Sequence, residues 1–268
     1  MSSPTGPTPP PPSMYASPLP PPPPEPAAPG LSQMQRLINI FIAPRKTFED
    51  LKGSPSWWVP WLVTGIFIVI FGVVAVQKID IQQFLQREID KSPSAQRRME
   101  QLTPEQREKG LAIQATGTKI VFYIYPVFTL VGGLIIAAVL MAVFNFMLGA
   151  EVPFQRAMAV VFYSFVPLII STILLTVSVL FSSDPNTIDL TNPMPTNPGF
   201  FMDPQGNKFF YAIVSSLDIF SIWVVTLLGL GFATASSNRK PSVSTGITAM
   251  FVVFAIFVLC RAAWRSIF

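Results

Sequence analysis

Chemistry at a protein site needs groups that carry protons, hold metals or donate electron pairs, and this chain has few. It contains no histidine, which excludes an imidazole base, a Ser–His dyad and an imidazole metal ligand. Its one cysteine, Cys260, lies in the last apolar stretch. That rules out an intrachain disulfide and a cysteine-cluster zinc site, and Cys260 reads as a small apolar helix residue. Glu100, Glu105 and Glu108 alternate with Arg97, Arg98, Arg107 and Lys109, the pattern of a solvated helical face rather than of paired catalytic carboxylates. Gly229-Leu-Gly231 lacks a third glycine and follows no strand, so it is not a dinucleotide loop; Gly229 and Ala233 read as a helix contact. Two polar residues remain within apolar sequence. Asp218 sits in Ser215–Trp223, and a carboxylate in hydrocarbon is costly enough to be a functional candidate. The competing reading puts it at a helix start, where Ser215 or Ser216 caps and the carboxylate meets the positive helix end. Asn145 closes another apolar run, as a boundary residue or an interhelical hydrogen bond. Catalytic, cofactor-binding and metal-ligating residues are not expected.

The elements that must position these residues follow from composition. Half of the 268 residues are apolar, 12% are charged and the mean hydropathy is +0.50. Soluble domains run near a quarter charged, so the chain reads as an all-α, polytopic membrane bundle. The net charge of +4 is scattered around the apolar blocks, which speaks for topology signals and against nucleic-acid binding.

Residues 1–30 hold 14 of the 28 prolines and cannot bury enough apolar surface to fold, so a disordered tail is expected, either a plain linker or a docking site for a proline-binding module. No basic, apolar signal-peptide pattern occurs there. Residues 31–56 carry an apolar run too short to span, broken by Pro44, then Phe48 and Leu51 with Arg45, Lys46 and Lys52 on the polar side. This reads as an interfacial helix with its bases toward lipid phosphates, the other reading being a helix packed on the bundle. Spans are expected at about 57–76, 120–148, 157–181, 211–233 and 246–264. Trp57, Trp58 and Trp61 mark an interface, with Pro60 in the first turn, where its missing N–H costs little. The second span is longer than a bilayer needs, so it tilts, kinks near Pro126 or begins outside, and Pro167 is expected to kink the third. Residues 77–119 read as a helical hairpin outside the bilayer, with Thr103-Pro104-Glu105-Gln106 as a helix start. Residues 182–210, rich in proline, read as irregular.

Arg36, Arg45, Lys46 and Lys52 precede the first span, Arg239 and Lys240 sit between the fourth and fifth, and the loop after the third has Lys208 alone. These place the N-terminus in the cytoplasm. Against them, the 77–119 loop carries eight Lys and Arg beside six acids.

The stretch Phe41-Ile-Ala-Pro44-Arg-Lys-Thr-Phe48-Glu-Asp-Leu51, followed by Pro55-x-Trp57-Trp58-x-Pro60, resembles the first motif of the Yip (Ypt/Rab-interacting protein) membrane-domain family in its bacterial branch. Leu217–Trp223 with Gly229 and Gly231, and the region from Gly149 through Arg156 to Pro167, are similar to that branch too. The resemblance covers about residues 35–265 and implies a five-span helical membrane domain with a cytoplasmic N-terminus. Eukaryotic relatives bind prenylated small GTPases and act in vesicle traffic; their Asp-Leu-Tyr-Gly-Pro signature is absent here. The expectation is thus a non-enzymatic scaffold, in membrane organisation or a trafficking-like process. It would meet the lipid bilayer and protein partners through tail or loops, with a second copy of the chain as a further candidate. A bacterial cytoplasmic membrane is expected, an ER or Golgi membrane being the other reading. The alternative function is a small-molecule or ion permease using a site near Asp218 and Asn145, with helices broken at Pro126 and Pro167. An intramembrane enzyme would need a second carboxylate near Asp218, and none is evident.

Overall fold

The computed structural model describes residues 30–237 and 241–267, with Met1 and Gly6. The proline-rich stretch 7–29, with its docking role, lies outside the described residues, as do Arg239 and Lys240. All regular structure among the described residues is helical.

Local chemistry explains where the helices start. Helix α1 (Gln33–Ile42) begins at a capping box, Ser32 Oγ accepting from Gln35 N–H while the Gln35 side chain accepts from Ser32 N–H. Helix α2 (Pro44–Asp50) has Pro44 at its first position, where no N–H is needed. Helix α3 (Trp58–Lys78) is the first long apolar helix. Helices α4 (Ile81–Asp90) and α5 (Pro93–Glu100) are capped by Asp80 and Ser92. The expected box at Thr103 and Gln106 opens helix α6 (Pro104–Leu148). Helices α7 (Phe154–Phe165) and α8 (Leu168–Phe181) are separated at Val166 and Pro167, an interruption within the one span Phe154–Phe181. Helices α9 (Lys208–Ser216), α10 (Ile219–Ala235) and α11 (Val243–Ile267) complete the chain. The 182–207 segment before them carries 3-10 turns at Pro185–Thr187 and Pro198–Phe201.

Trp58–Lys78, Pro104–Leu148, Phe154–Phe181 and Val243–Ile267 are each long and apolar enough to cross a bilayer. Helices α9 and α10 meet at 60° and make a fifth span if counted together. At 45 residues, α6 is about 67 Å long against a hydrocarbon core of about 30 Å, so its first turns stand outside the bilayer.

Helix α10 lies centrally, against α2, α7 and α11; α6 packs on α3 and α7, and α8 on α3. Phe48, Phe144, Tyr163 and Phe232 are fully enclosed, with Phe144 stacked on Phe232 at 4.8 Å between centroids. Exposed residues such as Ile66, Ile70, Val131, Ile135, Ile256 and Leu259 leave the outside of the bundle apolar, the surface a lipid solvent requires. Contact between spans comes from small residues. A Cβ on Gly229 would stand 2.5 Å from Ile247 Cα, and one on Gly246 would stand 2.7 Å from Ala233 Cβ, so the backbones of α10 and α11 touch.

The bundle has two ends. Residues 52, 149–153 and 235–237 meet at the N-terminal end, where Ser237 N–H donates to Ala150 O and Arg156 reaches Lys52 O. Helices α4 and α5, the 182–207 segment and the close of α11 share the far end, where Asp80 N–H donates to Asn186 Oδ1 at 2.8 Å and Lys91 bonds Asp189.

Candidate functional site

At the N-terminal end, α1 and α2 fold over a buried ion pair. Arg36, 3% exposed, donates from Nε to Asp50 Oδ2 and from Nη1 to Ser54 O at 2.9 Å. The other carboxylate oxygen accepts from Leu31 N–H at 3.0 Å, and Thr47 Oγ1 donates to Arg36 O at 3.1 Å. Arg36, one of the bases ahead of the first span, faces inward, because Asp50 lies 14 positions on and the single-residue hinge at Ala43 folds α2 back along α1. Arg45 pairs with Glu49 at the surface, an exposed bond of little weight. Met34, Ile38 and Ile42 form an exposed stripe at i, i+4, i+8, the face an interfacial helix turns to lipid.

Three further contacts seat this pair on the spans. Tyr163 Oη donates to Gln33 Oε1 at 2.8 Å. Phe48 fills the notch left by Gly231, where a Cβ would stand 2.9 Å from its ring and 2.5 Å from Val160. Arg156 donates to Ala235 O at 2.8 Å, Ser237 Oγ at 2.9 Å and Lys52 O at 3.3 Å, so one guanidinium ties α7, the exit of α10 and the exit of α2.

Asn145 holds the turn between α6 and α7. Its amide donates to Val152 O at 3.0 Å and its carbonyl accepts from Val152 N–H at 2.8 Å. The turn needs the restraint: Gly149 closes α6 with a φ of 61° and Glu151 also has a positive φ, 53°.

The tryptophans divide by role. Trp57 stands just before α3, its ring 5.7 Å from that of Phe162. Trp58 is exposed, Pro60 is buried, and Trp61 Nε1 donates to Pro126 O at 3.1 Å. Proline at 126 leaves Phe122 O without its helical donor. Gly72 of α3 packs there, where a Cβ would be 2.7 Å from that oxygen. Helix α3 thus grips both sides of the proline in α6.

At the far end, Asp218 is itself the cap of α10. Its Oδ1 accepts from Phe220 N–H at 2.9 Å and Ser221 N–H at 3.2 Å, while Thr196 Oγ1 donates to Oδ2 and Thr196 O accepts from Ile219 N–H at 3.1 Å. The cap is therefore neither Ser215 nor Ser216, and the helix starts within the fourth span rather than before it. Both oxygens of Asp218 and both ends of the Asn145 amide are engaged with the chain itself. The two residues lie at opposite ends and share no site, so a permease reading built on them is not favoured.

Asp218 is not alone as an ionisable residue of the spans; Arg261 is a second. It lies in α11 and donates from Nη1 to Ser216 Oγ. Its signal was its own position, three residues before Trp264 within the last apolar block. Nothing in the sequence marked the partners of Arg156 or the pairing of Arg36 with Asp50.

Lys91 bonds Glu88 at 2.8 Å and Asp189 at 3.0 Å, clamping α4 to the 182–207 segment. Burial pulls the Lys91 ammonium down, but the two carboxylates outweigh it and hold it above its ordinary 10.5. Burial pushes Asp189 up, but hydrogen bonds from Thr191 and Lys91 outweigh it and hold the carboxyl below 3.8.

An apolar-surfaced helical bundle of four or five spans, with polar bonds gathered at its two ends, defines an integral, multi-pass membrane protein. The Yip1 domain model matches residues 38–261, from within α1 to within α11, and the chain belongs to the Yip1 domain family. No curated protein and no solved structure matches the chain.

Proposed function

We propose that the protein is a non-enzymatic membrane scaffold. It sits in a bacterial cytoplasmic membrane with the N-terminus in the cytoplasm, and it presents the proline-rich tail and the loops to protein partners. The supporting observation is where the polar side chains of the spans go: Asn145, Arg156 and Asp218 bond backbone groups that the helix breaks and turns leave open. A bundle that uses these groups to hold its own shape offers its surfaces rather than a reaction centre. The orientation rests on the basic residues ahead of the first span.

Affinity capture from detergent, with and without residues 1–30, tests the tail. Loss of partners on deletion is expected, and an unchanged partner set ends the docking role. Single-cysteine labelling in a Cys260→Ala background tests orientation. Gln35→Cys should react only from the cytoplasmic side and Arg97→Cys only from the opposite side; the reverse pattern overturns the assignment.

A further inference from the structure

The far end holds a feature that scaffolding does not use: a run of cavities that changes from cationic to apolar. The first, about 390 Å³, lies between α4–α5 and the ends of α9 and α11, with Lys91, Arg97, Lys208 and Arg265 in its wall. Its two acids, Glu88 and Asp189, both bond Lys91. Arg97, Lys208 and Arg265 enter no ion pair among the described residues, so the cavity carries uncompensated positive charge. Arg265 lies 5.2 Å above the Tyr211 ring, which holds it at the mouth, and the adjacent Trp264 is exposed, as a residue at headgroup depth is.

Thr191 walls both this cavity and a second, of about 380 Å³, lined mainly by apolar residues, among them Phe71, Phe122 and Leu175. Ile68, Tyr125, Ser171 and Thr172 are shared in turn with a third, of about 390 Å³, which reaches Trp61 and Gly132. The cleft lies where α6 and α8 both pack on α3 while α6 also packs on α7. Thr172 Oγ1 donates to Leu168 O at 3.0 Å, so it makes no polar demand on an occupant. Each volume is within the range of ligand sites.

We propose that this run binds one anionic phospholipid of the surrounding bilayer, its phosphate in the cationic cavity and an acyl chain in the apolar cleft. Charge order selects the occupant. A phospholipid presents charge at headgroup depth and hydrocarbon below, in the same sequence as the cavities. A zwitterionic headgroup brings its own cation, whereas an anionic one supplies the charge that Arg97, Lys208 and Arg265 lack.

The test uses the purified full chain in detergent, offered palmitoyl-oleoyl phosphatidylglycerol or phosphatidylcholine, with retained lipid read by native mass spectrometry. Wild type should retain phosphatidylglycerol about ten-fold better, the scale of one or two interfacial cation contacts. The variant Arg97→Gln/Lys208→Gln/Arg265→Gln should lose that preference while keeping its phosphatidylcholine level. Ser171→Leu with Gly132→Leu should reduce both lipids, since a Cβ on Gly132 meets open space and the larger side chains fill the cleft. Lys208→Gln alone keeps the test open if the triple variant does not fold, and should reduce the preference in part. Equal retention of the two lipids by wild type overturns the proposal, as does a preference that survives the charge variants. Displacement of the lipid by glycerol 3-phosphate at matched concentration also overturns it, because the site would then read the phosphate alone.

Discussion

The two ends of the bundle differ in how much of their charge they tie up. At the N-terminal end, Arg36, Asp50, Asn145 and Arg156 are turned inward and bonded to backbone or to each other. At the far end, Arg97, Lys208 and Arg265 line an open cavity without carboxylate partners among the described residues, and the clamp that exists, Lys91 with Glu88 and Asp189, is about one-third exposed. In lipid, helix ends and breaks are where backbone groups go unsatisfied, so a bundle must close them with side chains. Arg36, Asp50 and Arg156 serve that purpose at the N-terminal end, as Asp218 does at the far end, but Arg97, Lys208 and Arg265 are left over for a partner or lipid to meet.

Variants that exchange these characters test the contrast. The largest effect is expected from Arg36→Met, which leaves Asp50 as an uncompensated carboxylate in a closed site and should cost about 3–5 kcal/mol. Equilibrium unfolding in mixed micelles measures it, and a cost below about 1 kcal/mol would show that the pair is not closed as described. Gly229→Val follows: its side chain must push α10 from the backbone of α11, for about 1–3 kcal/mol in the same assay. Unchanged stability would mean that the two helices are not in backbone contact. Asp218→Ala removes one cap and should cost about 1 kcal/mol, with Asp218→Asn losing less because asparagine also caps. An equal loss in both variants would instead point to a role for the charge.

The smallest effect belongs to the far-end clamp. Asp189 has a lowered carboxyl pKa in the folded state, so its contribution is present above 3.8 and fades as pH falls through the folded value. Lys91 is raised, so its contribution is present below 10.5 and is lost only as pH climbs through its folded value. The clamp should therefore hold unchanged from about pH 5 to 9. Amide exchange in residues 184–192 should show no step in that window and faster exchange in Lys91→Gln. A step near neutrality would mean that another group governs the loop.

The contrast also explains what was readable in the sequence. Spans and their order were legible because some twenty consecutive apolar residues have few soluble uses, and the starts of α1 and α6 because Ser32–Gln35 and Thr103–Gln106 are local patterns. Pro167 announced the break between α7 and α8. The break at Leu217 and Asp218 was hidden, since no proline or glycine marks it and its closing partner, Thr196, comes from a loop 22 residues away. The sequence therefore left Asp218 open between a charge in hydrocarbon and a residue at a helix start, and offered Ser215 or Ser216 rather than Asp218 itself as the cap. Arg156 looked like an ordinary loop base because its acceptors lie 79, 81 and 104 positions off. Periodicity reports which way a residue faces; it carries no information on which distant carbonyl will be there.

One consequence attaches to the length of α6. A single rod runs from the capping box at Thr103, clear of the bilayer on one side, to the Gly149 turn on the other, with Trp61 and Gly72 of α3 gripping it at Pro126 as a bearing grips a shaft. The two ends of the bundle are thereby joined by one continuous helix, held at its proline by α3.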